Sequence, residues 1–287
     1  MEPLVSTSWL ASRLGDANPR TVIADVRWYL DPARRGRDAY EAGHIPGAVF
    51  LDLDNDLSAP GGARGGAAGR HPWPSAEQVA RVMGGVGIDS GTTVVAYDDQ
   101  AGAVAARLWY LLRSYGHDDV AVLDGGLRKW VAEGRPTDQA IPTIVPRAFV
   151  PRARAAAVVT KDELRAATPS LLLDARVPER YRGDVEPIDP RPGHIPGALN
   201  APFTANLTAG PEPVFQDTES LRVLYAGLGA DSEEAVVYCG SGVTACHDLL
   251  ALDRAGFGGR LYVGSWSEWS ADPSLPAAMG DEDLRRT

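Results

Sequence analysis

The chain has 287 residues, long enough for about two domains of ~100–200 residues each. Its 44% hydrophobic and 23% charged residues exclude wholesale disorder and fibres, and a net charge of −10 argues against a general nucleic-acid binder. The longest apolar runs, such as Leu108 to Leu112, are too short for a membrane span, no signal-peptide pattern follows Met1, and two cysteines make no disulfide scaffold. The expectation is a cytoplasmic protein without membrane or nucleic-acid partners.

In chain order, Thr21–Ala24 is a short β-branched run that predicts a buried strand, inside the segment Val22-Ile-Ala-Asp25-Val-Arg27. Residues 43–48 then read Gly-His-Ile-Pro-Gly-Ala. Ala59 to Pro74 is rich in Gly and Pro, the composition of a surface excursion or a flap. A helix is predicted over Ala76 to Met83, with Ser75 as N-cap and Gly84-Gly85 as its stop. Thr93–Tyr97 predicts a strand, Ala103 to Tyr115 an amphipathic helix closed by Gly116, and Val120–Leu123 another strand. Gly125-Gly-Leu-Arg-Lys-Trp130 ends this half. A stretch with prolines at 136, 142, 146 and 151 follows, without periodicity, and reads as an extended connection.

The second half repeats the scheme. Leu171-Leu-Leu-Asp174-Ala-Arg176 matches the first strand segment, and Gly-His-Ile-Pro-Gly-Ala recurs at 193–198, 150 positions later. Thr218–Ala226 predicts a helix, Ala235–Tyr238 a strand and Thr244–Ala255 a helix, with Gly264-Ser-Trp-Ser-Glu-Trp269 matching the end of the first half. Matches in the same order predict two homologous domains, 1–140 and 156–287, joined by a linker at 141–155. Alternating strands and helices mean an α/β fold, each domain a mainly parallel sheet flanked by helices.

Cys239 follows a predicted strand and opens Gly240-Ser241-Gly242-Val243-Thr244, after which a helix begins. Ligands of open α/β sheets bind beyond the carboxyl ends of the strands. A glycine-bearing turn that feeds a helix directs several backbone N–H groups at one point, which binds anions and favours a nucleophilic thiolate. The bland reading is a buried strand-end cysteine followed by a turn. The first half has Asp98 at the matching place, so that copy is expected to be catalytically silent.

The string Tyr-Cys239-Gly-Ser-Gly-Val-Thr-Ala-Cys246 resembles the active-site loop of the tandem-domain sulfurtransferases of the rhodanese superfamily, and most of all that of the 3-mercaptopyruvate sulfurtransferases. Both Gly-His-Ile-Pro-Gly-Ala copies, the Asp-Gly-Gly-Leu segment and the Gly-Ser-Trp segment share the resemblance, which covers nearly the whole chain. It implies two tandem rhodanese-like domains with one active site. Cys239 would attack the donor's sulfur and carry it as a persulfide, with no other cofactor. The amides of Gly240, Ser241, Gly242, Val243 and Thr244 would hold that anion. A thiol, for example thioredoxin, or cyanide would then accept the sulfur. The same resemblance implies Arg180 as the binder of a donor carboxylate and Arg191 as its partner, although direct counting from Arg180 lands on Asp189. It also implies that His44, with Asp38 and Ser241, moves a proton. Against the role of His44 stands His194, which occupies the same motif in the other half.

Ala245 stands where a Cys-x5-Arg phosphatase needs its arginine, which disfavours phosphoester chemistry. Thiosulfate-preferring members of the resembled family carry basic residues just after the cysteine, so with neutral Gly240 and Ser241 the resemblance implies mercaptopyruvate as the donor, ahead of thiosulfate. Cys239, Cys246 and His247 have no standard zinc spacing, so no metal is expected. Two readings of another class are a persulfide carrier without turnover and a redox sensor built on Cys239 and Cys246. Cys246 itself reads most simply as a small buried hydrophobe.

Overall fold

A computed structural model describes residues 1–14, 20–62 and 66–281, so positions 63–65 of the glycine-rich loop and the end of the second predicted domain lie outside the described residues. The described chain forms two compact units. The first comprises Met1–Ala59, Pro74–Arg154 and Thr208–Phe215; the second comprises Pro60–Trp73, Ala155–Leu207 and Gln216–Thr287. The described residues of the glycine-rich loop thus group with the second unit, although the loop precedes most of the first in sequence.

The first unit runs β1 (Leu4–Val5), α1 (Thr7–Ala11), β2 (Thr21–Asp25), α2 (Gly36–Ala42), β3 (Val49–Phe50), α3 (Ala76–Gly85), β4 (Thr93–Tyr97), α4 (Ala105–Ser114), β5 (Val120–Leu123) and α5 (Gly126–Ala132). The second runs β6 (Val158–Val159), α6 (Lys161–Ala166), β7 (Leu171–Asp174), α7 (Pro178–Arg182), β8 (Leu199–Asn200), α8 (Thr218–Gly227), β9 (Ala235–Tyr238), α9 (Ala245–Ala255), β10 (Gly259–Tyr262) and α10 (Ser265–Trp269). Each unit holds one five-stranded sheet, in the orders β1-β5-β4-β2-β3 and β6-β10-β9-β7-β8. Every pairing is parallel, which requires crossover connections and accounts for the alternating helices. Asp98 and Cys239 therefore follow the middle strands, β4 and β9, of the two sheets.

The sequence pattern explains these elements. β4, β5 and β9 are short β-branched or apolar runs buried almost throughout, as expected of strands covered on both faces. The Ser75 hydroxyl accepts from Gln78 N and caps α3. Thr160 and Glu163 cap α6 reciprocally. Two expectations need correction. The helix from Ala76 does not stop at Gly84-Gly85 but runs through both. A Cβ at Gly84 would lie 2.5 Å from the Arg147 carbonyl oxygen, so this glycine serves a close backbone approach. And α4 is buried at every position except Arg113 rather than amphipathic.

The repeated motifs form a repeated brace. Arg27 grips Asp25 with Nη2–Oδ2 at 2.7 Å, and its Nη2 also donates to the Gly43 carbonyl at 2.8 Å. Arg176 does the same with Asp174 at 2.6 Å and Gly193 at 2.7 Å. Each pair ties the end of a strand to the turn that carries His-Ile-Pro-Gly. The tyrosine that ends each middle strand completes the brace, because its hydroxyl accepts from Ile45 N at 3.1 Å or Ile195 N at 3.0 Å.

Candidate active site

Cys239 follows the last residue of β9 and is buried, with only 2% of its surface exposed. Its backbone is pinned on both sides. Its N–H donates to the Ser265 hydroxyl at 3.1 Å, and its carbonyl accepts from Trp266 N at 2.9 Å. The Gly240 carbonyl accepts from Ser267 N at 2.9 Å. These carbonyls turn toward α10, and the amide of Ser241 approaches Cys239 Sγ at 3.5 Å. A loop that leads into a helix thus brings at least one N–H donor to the sulfur.

The first unit shows what the same backbone does with an oxyacid. Asp98 Oδ1 accepts from Gln100 N at 2.7 Å and Gly102 N at 2.9 Å, and Oδ2 accepts from Val104 N at 2.7 Å and Ala105 N at 2.8 Å. The turn is held open by Ala101 at φ 55°, where the second unit has Gly242 at φ 74°. Burial pushes the Asp98 carboxyl above its ordinary range, and the four N–H donors pull against that shift.

Three further groups gather at Cys239. His71 Nδ1 lies 2.8 Å from Ser241 Oγ, with both residues buried. Arg70 N donates to Ser267 Oγ at 3.1 Å, which anchors the glycine-rich loop beside α10 and sets His71 in place. At Gly240, a Cβ would meet Arg70 Nη2 at 2.7 Å and Arg180 Nη1 at 3.4 Å, so a side chain there would displace the Arg70 guanidinium and touch that of Arg180. Both arginines bond Asp189: Arg70 Nη1 to Oδ1, and Arg180 Nη2 to Oδ2 at 2.9 Å. Arg180 also holds Glu186 at 2.8 Å, and Arg176 reaches Glu186 at 3.4 Å. Burial pushes the Asp189 carboxyl up; Arg70 and Arg180 pull it down, while Glu186 adds to the upward push. Arg70 Nε is buried and has no acceptor among the described residues.

On α9, burial pushes the Asp248 carboxyl well above its ordinary range, although Asn206 Nδ2 donates to it at 2.8 Å. Cys246 Sγ donates to the Gly242 carbonyl at 3.3 Å and is fully buried. Among the described residues, no group of three or more His, Cys, Asp or Glu side chains is placed to hold a metal ion. Nor is any described helix long and apolar enough to cross a membrane.

The structure brings together Cys239, Gly240, Ser241 and Arg180, followed directly by Gly242, Val243 and Thr244 in the same loop. Of three other expected site residues, two have main-chain partners and one is exposed. His44 is fully buried and stacked on Tyr40 with centroids 4.0 Å apart; its Nδ1 faces the Tyr40 carbonyl at 2.8 Å and its Nε2 the Ala140 carbonyl at 3.3 Å. His194 repeats the stack on Tyr181 at 3.9 Å and the Nδ1 contact with its carbonyl at 2.8 Å. Asp38 is exposed in the first turn of α2. The histidine that meets Ser241 is His71, not His44. Arg191 points all three guanidinium nitrogens at the backbone carbonyls of Trp269, Ser270, Asp272 and Leu275, at 2.9–3.1 Å, and so caps the end of α10. The second guanidinium at Gly240 comes instead from Arg70. Sequence reasoning missed Arg70 and His71 because they lie in a stretch without periodicity. The one available signal was the Arg-His pair itself within the glycine-rich loop.

Comparison with known proteins shows the family. The family model described as "Rhodanese-like domain" matches residues 6–133 and 159–272. The chain is similar to a Pseudomonas aeruginosa protein named "Probable 3-mercaptopyruvate sulfurtransferase", at 45% identity over 285 residues, covering 97% of this chain and 98% of that protein. It is also similar to the thiosulfate sulfurtransferase of Rattus norvegicus, at 34% identity over 294 residues, covering 96% and 95%. Among solved structures, it resembles 3-mercaptopyruvate sulfurtransferase from Leishmania major with a TM-score of 0.81 and 31% identity, covering 94% of this chain and 74% of that one.

Proposed function

Because the chain belongs to the rhodanese family, within which its curated relatives are sulfurtransferases of the 3-mercaptopyruvate and thiosulfate types, we propose that it transfers sulfur from 3-mercaptopyruvate to a thiol or to cyanide. The observation that carries this reading is the convergence at one strand end of a buried cysteine, an amide on its sulfur, a Ser–His pair and two guanidinium groups.

The donor's carboxylate lies against Arg180 and Arg70, whose planar forks suit it. The Cys239 thiolate attacks the donor's sulfur. A new S–S bond forms as the donor's C–S bond breaks, and the bonding electron pair leaves on the carbon as the enolate of pyruvate. The cysteine sulfur is oxidised and that carbon reduced. Ser241 and His71 move the proton that the enolate takes up, which turns it into pyruvate. The product on the protein is a Cys239 persulfide, held by the amides of residues 240–244, and no other cofactor takes part. An acceptor thiolate then attacks the outer sulfur and releases Cys239 as a thiolate. A small thiol or a thioredoxin-type protein fits this second step, in the cytoplasm. Two half-reactions on one cysteine predict ping-pong kinetics.

The similarity to a thiosulfate sulfurtransferase supports thiosulfate as the second donor. Both donors are therefore tested side by side, with a dithiol and with cyanide as acceptors. Pyruvate release far beyond one equivalent per protein supports the proposal. A single equivalent would mean a persulfide carrier without turnover. A strong bias to thiosulfate would keep the nucleophile and overturn the donor.

A further inference from the structure

The two arginines at Gly240 are not free charges. Arg70, Arg176 and Arg180 are matched by Asp174, Glu186 and Asp189, so the cluster holds three cations and three carboxylates. Asp189 occupies the point where it matters. Among the described residues it is the one carboxylate that bonds both Arg70 and Arg180, and its side chain is wholly inaccessible, beside arginine side chains that are 9% and 14% exposed. Its backbone is set by Glu186, whose Oε1 accepts from both Ile188 N and Asp189 N at 3.0 Å. Arg70 still has one buried donor, Nε, without an acceptor among the described residues, so the cluster is charge-balanced but not saturated with hydrogen bonds.

Such a site discriminates by charge. A monocarboxylate can use the remaining donor capacity and needs little net positive charge. A dianion brought into the same buried place needs an excess positive charge that Asp189 has cancelled. Charges interact strongly in a buried place, where water screens them little, so removing a single carboxylate is enough to shift the preference.

We infer that Asp189 is a specificity-determining residue: by cancelling one of the two charges of the Arg70–Arg180 pair, beside Glu186, it tunes the site to a monocarboxylate donor and against the dianion thiosulfate. The inference rests on the sulfurtransferase reading above and adds to it the residue that selects the donor.

The test is kcat/KM for both donors in the wild-type protein and in Asp189→Asn, which keeps the size of the side chain and one acceptor oxygen while removing the charge. The thiosulfate-to-mercaptopyruvate ratio is expected to rise roughly tenfold or more. Inhibition by sulfite, a dianion, is expected to tighten more than inhibition by pyruvate, a shift that a loosened fold would not produce. Asp189→Glu, which restores the charge, is expected to bring the ratio back toward wild type. Should Asp189→Asn not fold, Glu186→Gln removes a charge from the same cluster and is expected to move the ratio in the same direction by a smaller factor. An unchanged or falling ratio in a folded variant overturns the inference. Wild-type protein that turns over neither donor overturns the sulfurtransferase reading instead, so the two failures are distinguishable.

Discussion

The loops after the two middle strands, 98–104 and 239–244, are the same device used in two ways. In the first unit the strand-end side chain is an oxyacid whose two oxygens accept four backbone N–H groups. In the second unit it is Cys239, with the Ser241 amide at 3.5 Å from its sulfur. In the first the backbone closes on the side chain with four N–H groups; in the second it brings at least one N–H to the sulfur. The residue at the mouth of each loop decides whether the loop is filled by the protein itself or can serve chemistry. The second difference is the surroundings. The second unit adds Arg70 and His71 from the glycine-rich loop and Arg180 from α7, whereas the first closes its loop on its own aspartate.

The sharpest way to break this comparison is Cys239→Ser. A hydroxyl cannot become a persulfide, so sulfur transfer is expected to fall by ~10³-fold or more while the fold stays intact, checked by steady-state assay and circular dichroism. Undiminished turnover would remove Cys239 from the mechanism. Next in size is the contrast between the two histidines. His71→Gln is expected to lower kcat with mercaptopyruvate by ~10²-fold and to affect thiosulfate less, because sulfite leaves without taking a proton on carbon. His44→Gln is expected to show no such donor dependence, and equal donor profiles for the two variants would undo the assignment of His71.

Arg180→Ala is expected to raise KM for mercaptopyruvate by ~10–100-fold, the worth of one charge-assisted contact. Equal losses with pyruvate-type and thiosulfate donors would mean that Arg180 supports the loop rather than the carboxylate. The smallest expected effect on activity belongs to the first unit. Asp98→Ala strips acceptors from four buried N–H groups and is expected to cost about 3 kcal/mol in urea unfolding, with turnover by folded protein nearly unchanged. A large loss of turnover in folded Asp98→Ala would show that the first nest is coupled to the chemistry of the second.

Much of the fold is legible in the sequence because its causes are local. Thr93–Tyr97, Val120–Leu123 and Ala235–Tyr238 are apolar runs of strand length, and the structure has strands over those same residues. Ser75 is a capping residue before an apolar period, and it caps. The strand–Cys239–Gly–helix order places the nest without any long-range information. Arg191 shows where such reading ends. An arginine shortly before the Gly-His-Ile-Pro motif has the right charge and nearly the right position, yet four backbone carbonyls around the end of α10 claim its donors. His44 fails for a related reason: both of its ring nitrogens face main-chain carbonyls.

By itself, the sequence determined the repeat, the parallel α/β architecture, the strand-end cysteine with its loop of amides, and the loss of that cysteine from the first copy. The individual elements follow from patterns within about twenty residues, and the repeat from comparing such patterns 150 positions apart. Only the tertiary structure decided which side chains surround the sulfur. Arg70 and His71 reach it from a segment more than 160 residues away in sequence, in a stretch with no periodicity to announce where it folds. Contacts across such distances depend on how the whole unit packs. The resulting balance of buried charges around Asp189 exists only once Arg70 and Arg180 have been brought to the same carboxylate.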